Sequence, residues 1–456
     1  MAGLVLDVMQ RGAAAVETAR AALASCPKGF VAPGDDLGTA ARTLFDTGAD
    51  VLAVMDGELP VGVLGAEDCL SPADRILLQL FKPKSPDDPY PLYHELRALA
   101  PLHRSALGVS FATRFDDCAH ILRDPTFVKF PVLGIRSTSM LSANPPEHTR
   151  LRGLVSKAFT ARTVEALRPG IERRVKSLLD AVDSQTAVDF MTSVGFPLPI
   201  SVIGELLGVP PEDRAQFHGL VRDSTANLEF GATPDDRARA DRARAIIDAY
   251  FVELFAERRA RPVDDLISAL IGARDAGDRL SEDELLSTVV LIFAAGFETT
   301  TNLLGNGVAA LLAHPHLWPR LRQHPDLVTA FVEETLRYDA SIQVQGRQAT
   351  VDVELSGTAV AAGEAVTTFL GAANRDPARF DQPDRFDVDR PNNQHLSFGR
   401  GIHFCIGASL ARLEAHLAFR ALLERFGRIE AAGPPQRRPG LTFRGFTSLP
   451  VVMSAA

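Results

Sequence analysis

Phe398-Gly-Arg-Gly-Ile-His-Phe-Cys405-Ile-Gly407 is the stretch from which the fold of this chain can be inferred. It places one cysteine among glycines, and apolar residues then recur at three- and four-residue spacing, which predicts an amphipathic helix. Cys405 would lie at the N-terminus of that helix, where unpaired N–H groups and the helix dipole favour the thiolate, the form of cysteine that binds metal. Gly401 and Gly407 would keep side chains away from the sulfur and from a flat cofactor.

A buried structural cysteine in a glycine-containing loop is the alternative interpretation. The order F-x-x-G-x-x-x-C-x-G is more specific than such a loop requires, and it resembles the haem-binding loop of the cytochrome P450 family in its soluble bacterial form. The resemblance implies that Cys405 is the metal ligand, a thiolate on the iron of haem b (iron protoporphyrin IX). It also implies that four further residues of the loop border the haem, namely Phe398, Gly399, His403 and Gly407.

The composition favours a soluble, cytoplasmic globular protein. With 456 residues, 46% of them hydrophobic, the chain can bury a large core. The longest apolar run near its middle, residues 285–297, is too short to span a bilayer, and no signal peptide is visible. The four cysteines form no C-x-x-C pair, which argues against a disulfide framework or a zinc site. A net charge of −9 gives no indication of nucleic-acid binding.

A proline-rich stretch divides the chain into two predicted parts. Residues 82–91 carry four prolines among several charges, as a linker or an exposed boundary does. The predicted domains are an N-terminal extension of residues 1–81 and a cytochrome P450 haem domain of residues 82–456. The resemblance to the haem-thiolate family runs almost without interruption from Tyr90 to the C-terminus.

The N-terminal extension has the pattern of a small α/β segment. After a short apolar segment at residues 5–9, a helix is predicted over 37–47, followed by strands at 51–55 and 61–64. This order resembles a single cystathionine-beta-synthase (CBS) motif, which usually occurs in pairs and binds adenosyl ligands. Gly65 stands where that family usually has a nucleotide-binding Ser or Thr. A structural or dimerising extension is therefore the alternative, and an unpaired motif would favour a homodimer.

The family resemblance implies a mainly α fold, a helical triangular prism with a small β region. Helical patterns predominate along the chain. Short alternating segments punctuated by Gly357 and Gly363 place the β region around residues 351–370.

Basic residues in three segments are predicted to hold the haem. Two prolines precede a helix start at residue 147, which puts His148 and Arg152 on one helical face. A solvated basic face is the ordinary interpretation of such residues. By resemblance, however, His148 and Arg152 bind a haem propionate, and Arg347 and His403 match two further propionate contacts.

Glu334 and Arg337 have the E-x-x-R spacing of the family's K helix. An exposed ion pair on a surface helix would contribute little to stability. The resemblance instead implies a buried network of Glu334, Arg337 and Arg385 beneath the haem-binding loop. Removing one member would leave a buried charge unpaired, at a cost of about 3–5 kcal/mol.

The sequence Ala295-Gly-Phe-Glu298-Thr299 interrupts an apolar helix with an acid and a hydroxyl group. Such a local violation of helix rules is typical of function. The Thr299 hydroxyl can bond to the Ala295 carbonyl while Gly296 lets the helix open into a groove for O2 and water. A polar pair satisfied by neighbouring helices is the alternative. By resemblance to the I-helix pattern A-G-x-[D/E]-T, Ala295 borders the haem, Thr299 stabilises the oxygen being activated, and Glu298 relays protons.

Together these motifs predict a haem-thiolate monooxygenase, an oxidoreductase that inserts one oxygen atom from O2 into a small hydrophobic substrate. Electrons from NAD(P)H are expected through a ferredoxin and a ferredoxin reductase that dock on the cysteine side, with Arg400, Arg412 and residues 150–162 supplying positive charge. The alternatives are a peroxide-driven oxygenase and a non-catalytic haem sensor regulated by the CBS-like segment. The substrate pocket is predicted to involve Phe293, Ala294 and residues 127–140, 217–230 and 342–344.

Overall fold

The computed structural model describes residues 30–32, 37–47, 49, 51–56, 59–65, 70–82, 86–130, 138–184, 186–229, 232–273 and 279–455. The predicted apolar segment at residues 5–9 lies outside the described residues. So does the end of the CBS-like pattern at residues 66–68.

The first described elements form a small sheet with one helix. Strand β1 (Phe30–Val31) precedes helix α1 (Leu37–Thr47), and strands β2 (Val51–Asp56) and β3 (Leu59–Gly65) follow. β1 pairs with β2 in parallel and β2 pairs with β3 antiparallel, in the order β1-β2-β3. The likeness of this unit to a CBS motif stays a prediction.

Helix α2 (Pro72–Leu80) connects the N-terminal part to the rest of the protein through packing and hydrogen bonds. The chain continues into helix α3 (Tyr90–Leu99), against which α2 packs. The Asp74 carboxylate accepts hydrogen bonds from His103 Nε2 at 2.9 Å and from the Ala106 N–H at 3.1 Å. One buried apolar cluster joins Leu77 to Phe369. The hydrophobic core is therefore continuous across residue 81, and a domain division there stays a prediction.

The remaining residues form a mostly helical body. Several helices start at a proline or behind a side-chain cap, which satisfies or removes the unpaired N–H groups of the first turn. Its helices are α4 (Phe115–Arg123), α5 (Glu147–Ala158), α6 (Ala161–Ala166), α7 (Arg168–Asp180), α8 (Pro197–Leu207), α9 (Phe217–Ser224), α10 (Pro234–Ala260), α11 (Leu266–Gly272), α12 (Glu282–Ala313), α13 (Leu317–Gln323), α14 (Val328–Tyr338), α15 (Leu370–Ala373) and α16 (Ala408–Arg425).

The β region is small and lies mainly on one sheet. Its strands are β4 (Leu102–Arg104), β5 (Val109–Ala112), β6 (Phe127–Val128), β7 (Val188–Asp189), β8 (Val344–Ala349), β9 (Val353–Leu355), β10 (Thr358–Val360), β11 (Ala365–Phe369), β12 (Phe426–Ala431), β13 (Gln436–Arg437), β14 (Phe446–Ser448) and β15 (Pro450–Ala455). The largest sheet has the order β4-β5-β11-β8-β6. The predicted β region around residues 351–370 is confirmed. β13 and β14 pair as the C-terminal hairpin, residues 436–448.

Helix α12 is the centre of the body. It begins with a capping box, in which the Ser281 hydroxyl accepts from the Glu284 N–H and the Glu284 carboxylate accepts from the Ser281 N–H. Of the helices in the described part of the chain, α12 alone is long and apolar enough to cross a membrane. However, 72% of its most apolar segment is buried inside the protein. It packs against α8, α10, α14 and α16, and therefore serves as a core helix.

Candidate active site

Cys405 lies in a loop that leads into helix α16. Its N–H donates to the Phe398 carbonyl at 2.9 Å, which closes the loop back on itself. Gly407 is the N-cap residue of α16, so the sulfur stands two residues before the cap. The sequence pattern places Cys405 correctly at the start of this helix.

The cysteine loop touches helix α4 through a position that only glycine fits. Gly401 has φ +70°, and a Cβ there would lie 2.6 Å from the Leu122 carbonyl oxygen. Both the left-handed backbone and the contact exclude other residues. Gly399 also has a positive φ, of 68°. Gly407 is different, because a Cβ there would meet only the Cys405 sulfur, at 3.9 Å.

The Cys405 side chain is exposed. Burial by the surrounding protein nevertheless raises the pKa of the thiol, and the Gly407 N–H and the Arg152 and Arg412 guanidinium groups only partly oppose this effect. The helix N-terminus alone therefore does not produce the predicted thiolate, whereas a bound metal would deprotonate the sulfur.

Basic side chains cluster beside the cysteine loop. The His148 and His403 rings lie 4.2 Å apart between centroids. Burial lowers the pKa of His403 to about 2, and the charges of Lys129 and Arg347 act in the same direction. Burial also lowers the pKa of Arg347 to about 10 and that of Lys129 well below its usual range. We call Lys129, His148, Arg347 and His403 the cation cluster.

The cation cluster fits the propionates of a haem. The Nε2 atoms of His148 and His403 are buried and have no hydrogen-bond partner among the described residues. Within the described part of the chain, the Arg347 guanidinium donates to the Gly346 carbonyl at 2.8 Å and weakly to Gln345 Oε1 at 3.5 Å. An anion would stabilise the charged forms of these buried basic groups, and a carboxylate can also accept hydrogen bonds from them. These residues therefore suit an anionic cofactor beside Cys405.

Arg152 contacts the cysteine loop itself. Its Nη2 donates to the carbonyl of Phe404, the residue before Cys405, at 2.6 Å. The guanidinium therefore braces the loop, while its charge also acts on His148 and His403. Its predicted propionate contact stays a prediction.

Glu334 and Arg337 form a fully buried ion pair on α14. The Glu334 carboxylate accepts from Arg337 Nη2 at 2.7 Å and Nε at 2.8 Å. A second guanidinium comes from Arg390, whose Nε lies 3.2 Å from Glu334 Oε1. The sequence predicted Arg385 at this place, and this assignment is corrected. Arg385 is exposed and contributes its carbonyl, because the loop turns its backbone toward Arg337 and its side chain outward.

Helix α12 presents Ala295 and Thr299 on its open side. The Thr299 hydroxyl donates to the Ala295 carbonyl at 2.7 Å, as the sequence predicted. The predicted local opening at Gly296 is not seen, since α12 is continuous from Glu282 to Ala313. A Cβ at Gly296 would lie 2.9 Å from Ile203, so this glycine allows helix α8 to approach closely.

Glu298 points away from Thr299, toward the C-terminal hairpin. Consecutive residues of an α-helix leave its axis about 100° apart. Glu298 is 5% exposed, and its carboxylate pairs with Arg438 Nη1 and accepts a long hydrogen bond from Asn302, at 3.4 Å. The expected shared groove of acid and threonine is thus replaced by two neighbouring sites on one helix.

The predicted pocket residues do not all line a pocket. Phe293 is fully buried and packs edge-on against Phe217 and Phe251, with centroids 5.0 and 5.3 Å apart. It belongs to the aromatic core. Ala294 and Ile342 are partly exposed, and Ile342 forms a β-bridge with Phe443 of the C-terminal hairpin. Residues 131–137 and 230 of the predicted segments lie outside the described residues.

Three residues of the site were missed in the sequence: Lys129, Arg390 and Arg438. Lys129 is a lone basic residue between apolar ones, in the sequence F-V-K-F, and this pattern was a detectable signal. Arg390 and Arg438 lie in irregular segments where no periodicity indicates which side chain points inward.

The comparisons with known proteins agree with this site. The family model "Cytochrome P450" matches residues 232–445. The chain is 39% identical over 394 residues to the polyketide biosynthesis cytochrome P450 PksS of Bacillus subtilis strain 168, covering 80% of this chain and 96% of that protein. It is 41% identical over 384 residues to the cytochrome P450 monooxygenase PikC of Streptomyces venezuelae, covering 80% and 91%.

A solved structure shows the same fold. P450BioI, in complex with an acyl carrier protein ligated with hexadec-9Z-enoic acid, aligns with a TM-score of 0.77 at 38% identity, covering 80% of this chain and 99% of that one. Identity and coverage of this extent establish both the fold and the cofactor class. The chain therefore belongs to the cytochrome P450 family, whose members are monooxygenases that bind haem b with a thiolate on the iron.

Proposed function

We propose that this protein inserts one oxygen atom from O2 into a small hydrophobic substrate, by hydroxylation or epoxidation, with two electrons from NAD(P)H. The cation cluster beside the exposed Cys405 sulfur carries the proposal, because it combines a metal ligand with four basic groups that lack a counter-charge among the described residues. Haem, when bound there, supplies the activation of O2.

Each residue of the site has a separate task. Cys405 binds the iron, and the cation cluster orients the cofactor through its propionates. Arg152 holds the cysteine loop in place from α5 through the Phe404 carbonyl. Thr299 offers its hydroxyl oxygen as an acceptor on the open side of α12 while its proton is held by Ala295. Glu298 supplies protons from the same helix.

A spectrum tests the sulfur ligand. The reduced, haem-loaded protein under carbon monoxide should show the absorption of a thiolate-ligated haem. Cys405→Ser should lose that signature, while Cys118→Ser should keep it because Cys118 is buried elsewhere and bonds to the Ala112 carbonyl. The spectrum of a histidine-ligated haem in the unmodified protein would contradict the proposal.

Thr299→Ala tests the catalytic assignment. The variant should still bind substrate and accept electrons, but it should divert them to peroxide because the hydroxyl that guides protons is gone. Thr299→Ser keeps the hydroxyl and serves as the matched control. Product formed per NADPH consumed is the measurement, and tight coupling in Thr299→Ala would refute the role.

The electron donor is proposed to be a ferredoxin that is reduced by its own reductase and docks beside the cysteine loop. Arg412 and Arg150, expected to face it, are ion-paired with Glu333 and Glu284. Arg400 is better placed: it lies over Phe115, 5.5 Å from the ring centroid, and burial and the positive charges of Arg379 and Arg123 lower its pKa. This basic group suits an acidic partner.

The substrate is proposed to be an aliphatic acyl or polyketide-like molecule. The names of two relatives support this choice: PksS acts in polyketide biosynthesis, and P450BioI was solved with a fatty acyl carrier protein. An optical titration with long-chain acyl compounds against steroids and terpenoids, watching water displacement from ferric iron, would test it.

Two alternatives are tested by turnover. A peroxide-driven oxygenase would not need the pair Glu298 and Thr299, and it would form product with peroxide as well as with NADPH. A non-catalytic haem sensor would form no product with surrogate redox partners. For residues 1–81 we propose a CBS-like regulatory or dimerising segment, which adenylate binding and the mass of the protein in solution would test.

A further inference from the structure

A cavity of about 330 Å³ lies between the segment that precedes helix α3 and the C-terminal hairpin. The segment contributes Pro86 and Asp87, and the hairpin contributes residues 437–441, 444 and 445. Asp87 and Pro439 are exposed, so the cavity opens to the protein surface. Its volume is at the lower end of the range for sites that bind small molecules. Neither Cys405 nor Thr299 lines it.

Three arginines of the hairpin line this cavity: Arg437, Arg438 and Arg444. Arg438 is paired with Glu298 of the core helix. Arg437 and Arg444 instead share one carboxylate, that of Asp339. Burial lowers the pKa of Arg444, but the charge of Asp339 outweighs this effect and the pKa is raised. Asp339 thus balances the charge of Arg444, and the group of two cations and one anion keeps one positive charge.

Arg437 is the arginine with unused donors. Its Nη1 donates to Asp339 at 3.1 Å and to Asn306 at 3.3 Å, whereas its Nε and Nη2 atoms have no hydrogen-bond partner in the described part of the chain. Its guanidinium lies over Phe446, 3.9 Å from the ring centroid. Stacking fixes the plane of the group and leaves its edge for hydrogen bonds. Burial lowers the pKa of Arg437, and the charge of Asp339 does not fully offset this.

A purely structural role explains only part of this arrangement. Arg444 joins the hairpin to Asp339 and, through Nη2, to the Asp87 carbonyl at 2.8 Å. Asp339 therefore does not need a second cation for its own stability. A second, half-compensated guanidinium beside the first is costly unless another anion reaches it. The unused edge of Arg437 is where such an anion would bind.

We propose that this cavity binds a small organic anion, whose carboxylate or phosphate group accepts hydrogen bonds from Nε and Nη2 of Arg437 and whose apolar part contacts Pro86 and Leu441. Guanidinium groups bind both kinds of anion through two parallel hydrogen bonds. Leu441 belongs to the same apolar cluster as Leu77 of helix α2, so the ligand lies where the N-terminal part meets the hairpin. The site is separate from the haem site and does not depend on the proposed monooxygenase function.

The first test measures binding by calorimetry in the holoprotein, where haem occupies the cation cluster. The probes are n-octyl phosphate and octanoate, with 1-octanol as the uncharged control. At least one of the two anions should bind more tightly than 1-octanol, and Arg437→Gln should weaken this binding about 10-fold or more. Arg428→Gln, at an exposed strand position, is the matched control and should leave it unchanged.

Either anion as the tighter ligand supports the site and identifies the head group as a phosphate or a carboxylate. Equal affinity in Arg437→Gln and in the unmodified protein would overturn the proposal. So would anions that bind no better than 1-octanol.

The second test changes the charge at the cavity mouth without touching the arginines. Asp87→Asn should tighten anion binding about 2- to 5-fold, because it removes a negative charge from the cavity wall and keeps the carbonyl that Arg444 contacts. Pro439→Glu adds a negative charge at an exposed position and should weaken binding by a similar factor. The carbon monoxide spectrum checks that both variants remain intact. Changes of the opposite sign, or none in either variant, would overturn the proposal. Catalytic inactivity would not affect these measurements, which record binding alone.

Discussion

His148 and His403 pack ring against ring with centroids 4.2 Å apart, and neither Nε2 atom has a partner among the described residues. Lys129 and Arg347 place two basic side chains near this pair, and their charges lower the pKa of His403. Such an arrangement destabilises the protein unless an anion completes it. The cation cluster therefore destabilises the haem-free protein and strengthens the binding of the cofactor.

Arg347→Met should separate these two effects. Burial lowers the pKa of Arg347 to about 10, so removing its charge should stabilise the haem-free protein by about 1–3 kcal/mol. Haem should bind about 10- to 100-fold more weakly, because charge-assisted bonds to a propionate are lost. Denaturant unfolding and haem titration measure the two quantities. Arg428→Met, at an exposed strand position, is the control, and equal haem affinity in both variants would contradict the propionate assignment.

The contacts of Glu334 predict different losses of stability when Arg390 and Arg385 are replaced. Glu334→Ala or Arg337→Ala should cost about 3–5 kcal/mol and yield protein without haem, because each strands a buried charge. Arg390→Ala should also destabilise the protein. Arg385→Ala is the matched control and should change the free energy of unfolding by less than about 0.5 kcal/mol, since its guanidinium is exposed. A larger loss in Arg385→Ala than in Arg390→Ala would reverse our correction.

The two glycines that flank Cys405 should respond differently to alanine. Gly401→Ala brings a methyl group within 2.6 Å of the Leu122 carbonyl oxygen at φ +70°, so the loop must move and haem incorporation should fall severely. Gly407→Ala adds a methyl group 3.9 Å from the sulfur, so folding should be nearly unchanged while the absorption spectrum shifts. Haem content of the purified variants is the measurement. Equal haem content in both would show that the contact with α4 is dispensable.

The low pKa of Glu333 predicts that the protein loses stability in acid. Burial raises its pKa, but hydrogen bonds from His395 and Arg412 outweigh this and lower the pKa to about 2. Because the pKa is lower in the folded state, the stabilisation is complete above about pH 4.5 and disappears as the pH falls through about 2. It amounts to about 2–3 kcal/mol.

Unfolding measured across this pH range tests the prediction. Glu333→Gln should lower stability near neutral pH and lose less of it between about pH 4.5 and 2 than the unmodified protein. Glu424→Gln, an exposed glutamate paired with Arg420, should follow the unmodified protein. Identical pH profiles for all three proteins would disprove a stabilising role of Glu333.

The sequence by itself determined the features that depend on local order. The spacing around Cys405, the pair of Glu298 and Thr299, and the E-x-x-R motif at Glu334 are short-range patterns, and each predicted the helix on which its residues lie or which they begin. Thr299 bonds to Ala295 as predicted because both partners lie on one helical turn. Helical periodicity fixes such relationships without any tertiary contact.

Only the tertiary structure decided which side chains from distant segments meet. Arg390 rather than Arg385 contacts Glu334. Both arginines lie in an irregular loop, where packing and not a regular repeat determines which side chain points inward. Arg438, 140 residues after Glu298, turns that acid away from Thr299. Lys129 joins the cation cluster from the end of strand β6; its apolar flanks mark it as unusual, but they do not indicate which groups it meets. Burial and long-range charge, which depend on the complete fold, thus determine the chemistry of residues that the sequence could only identify.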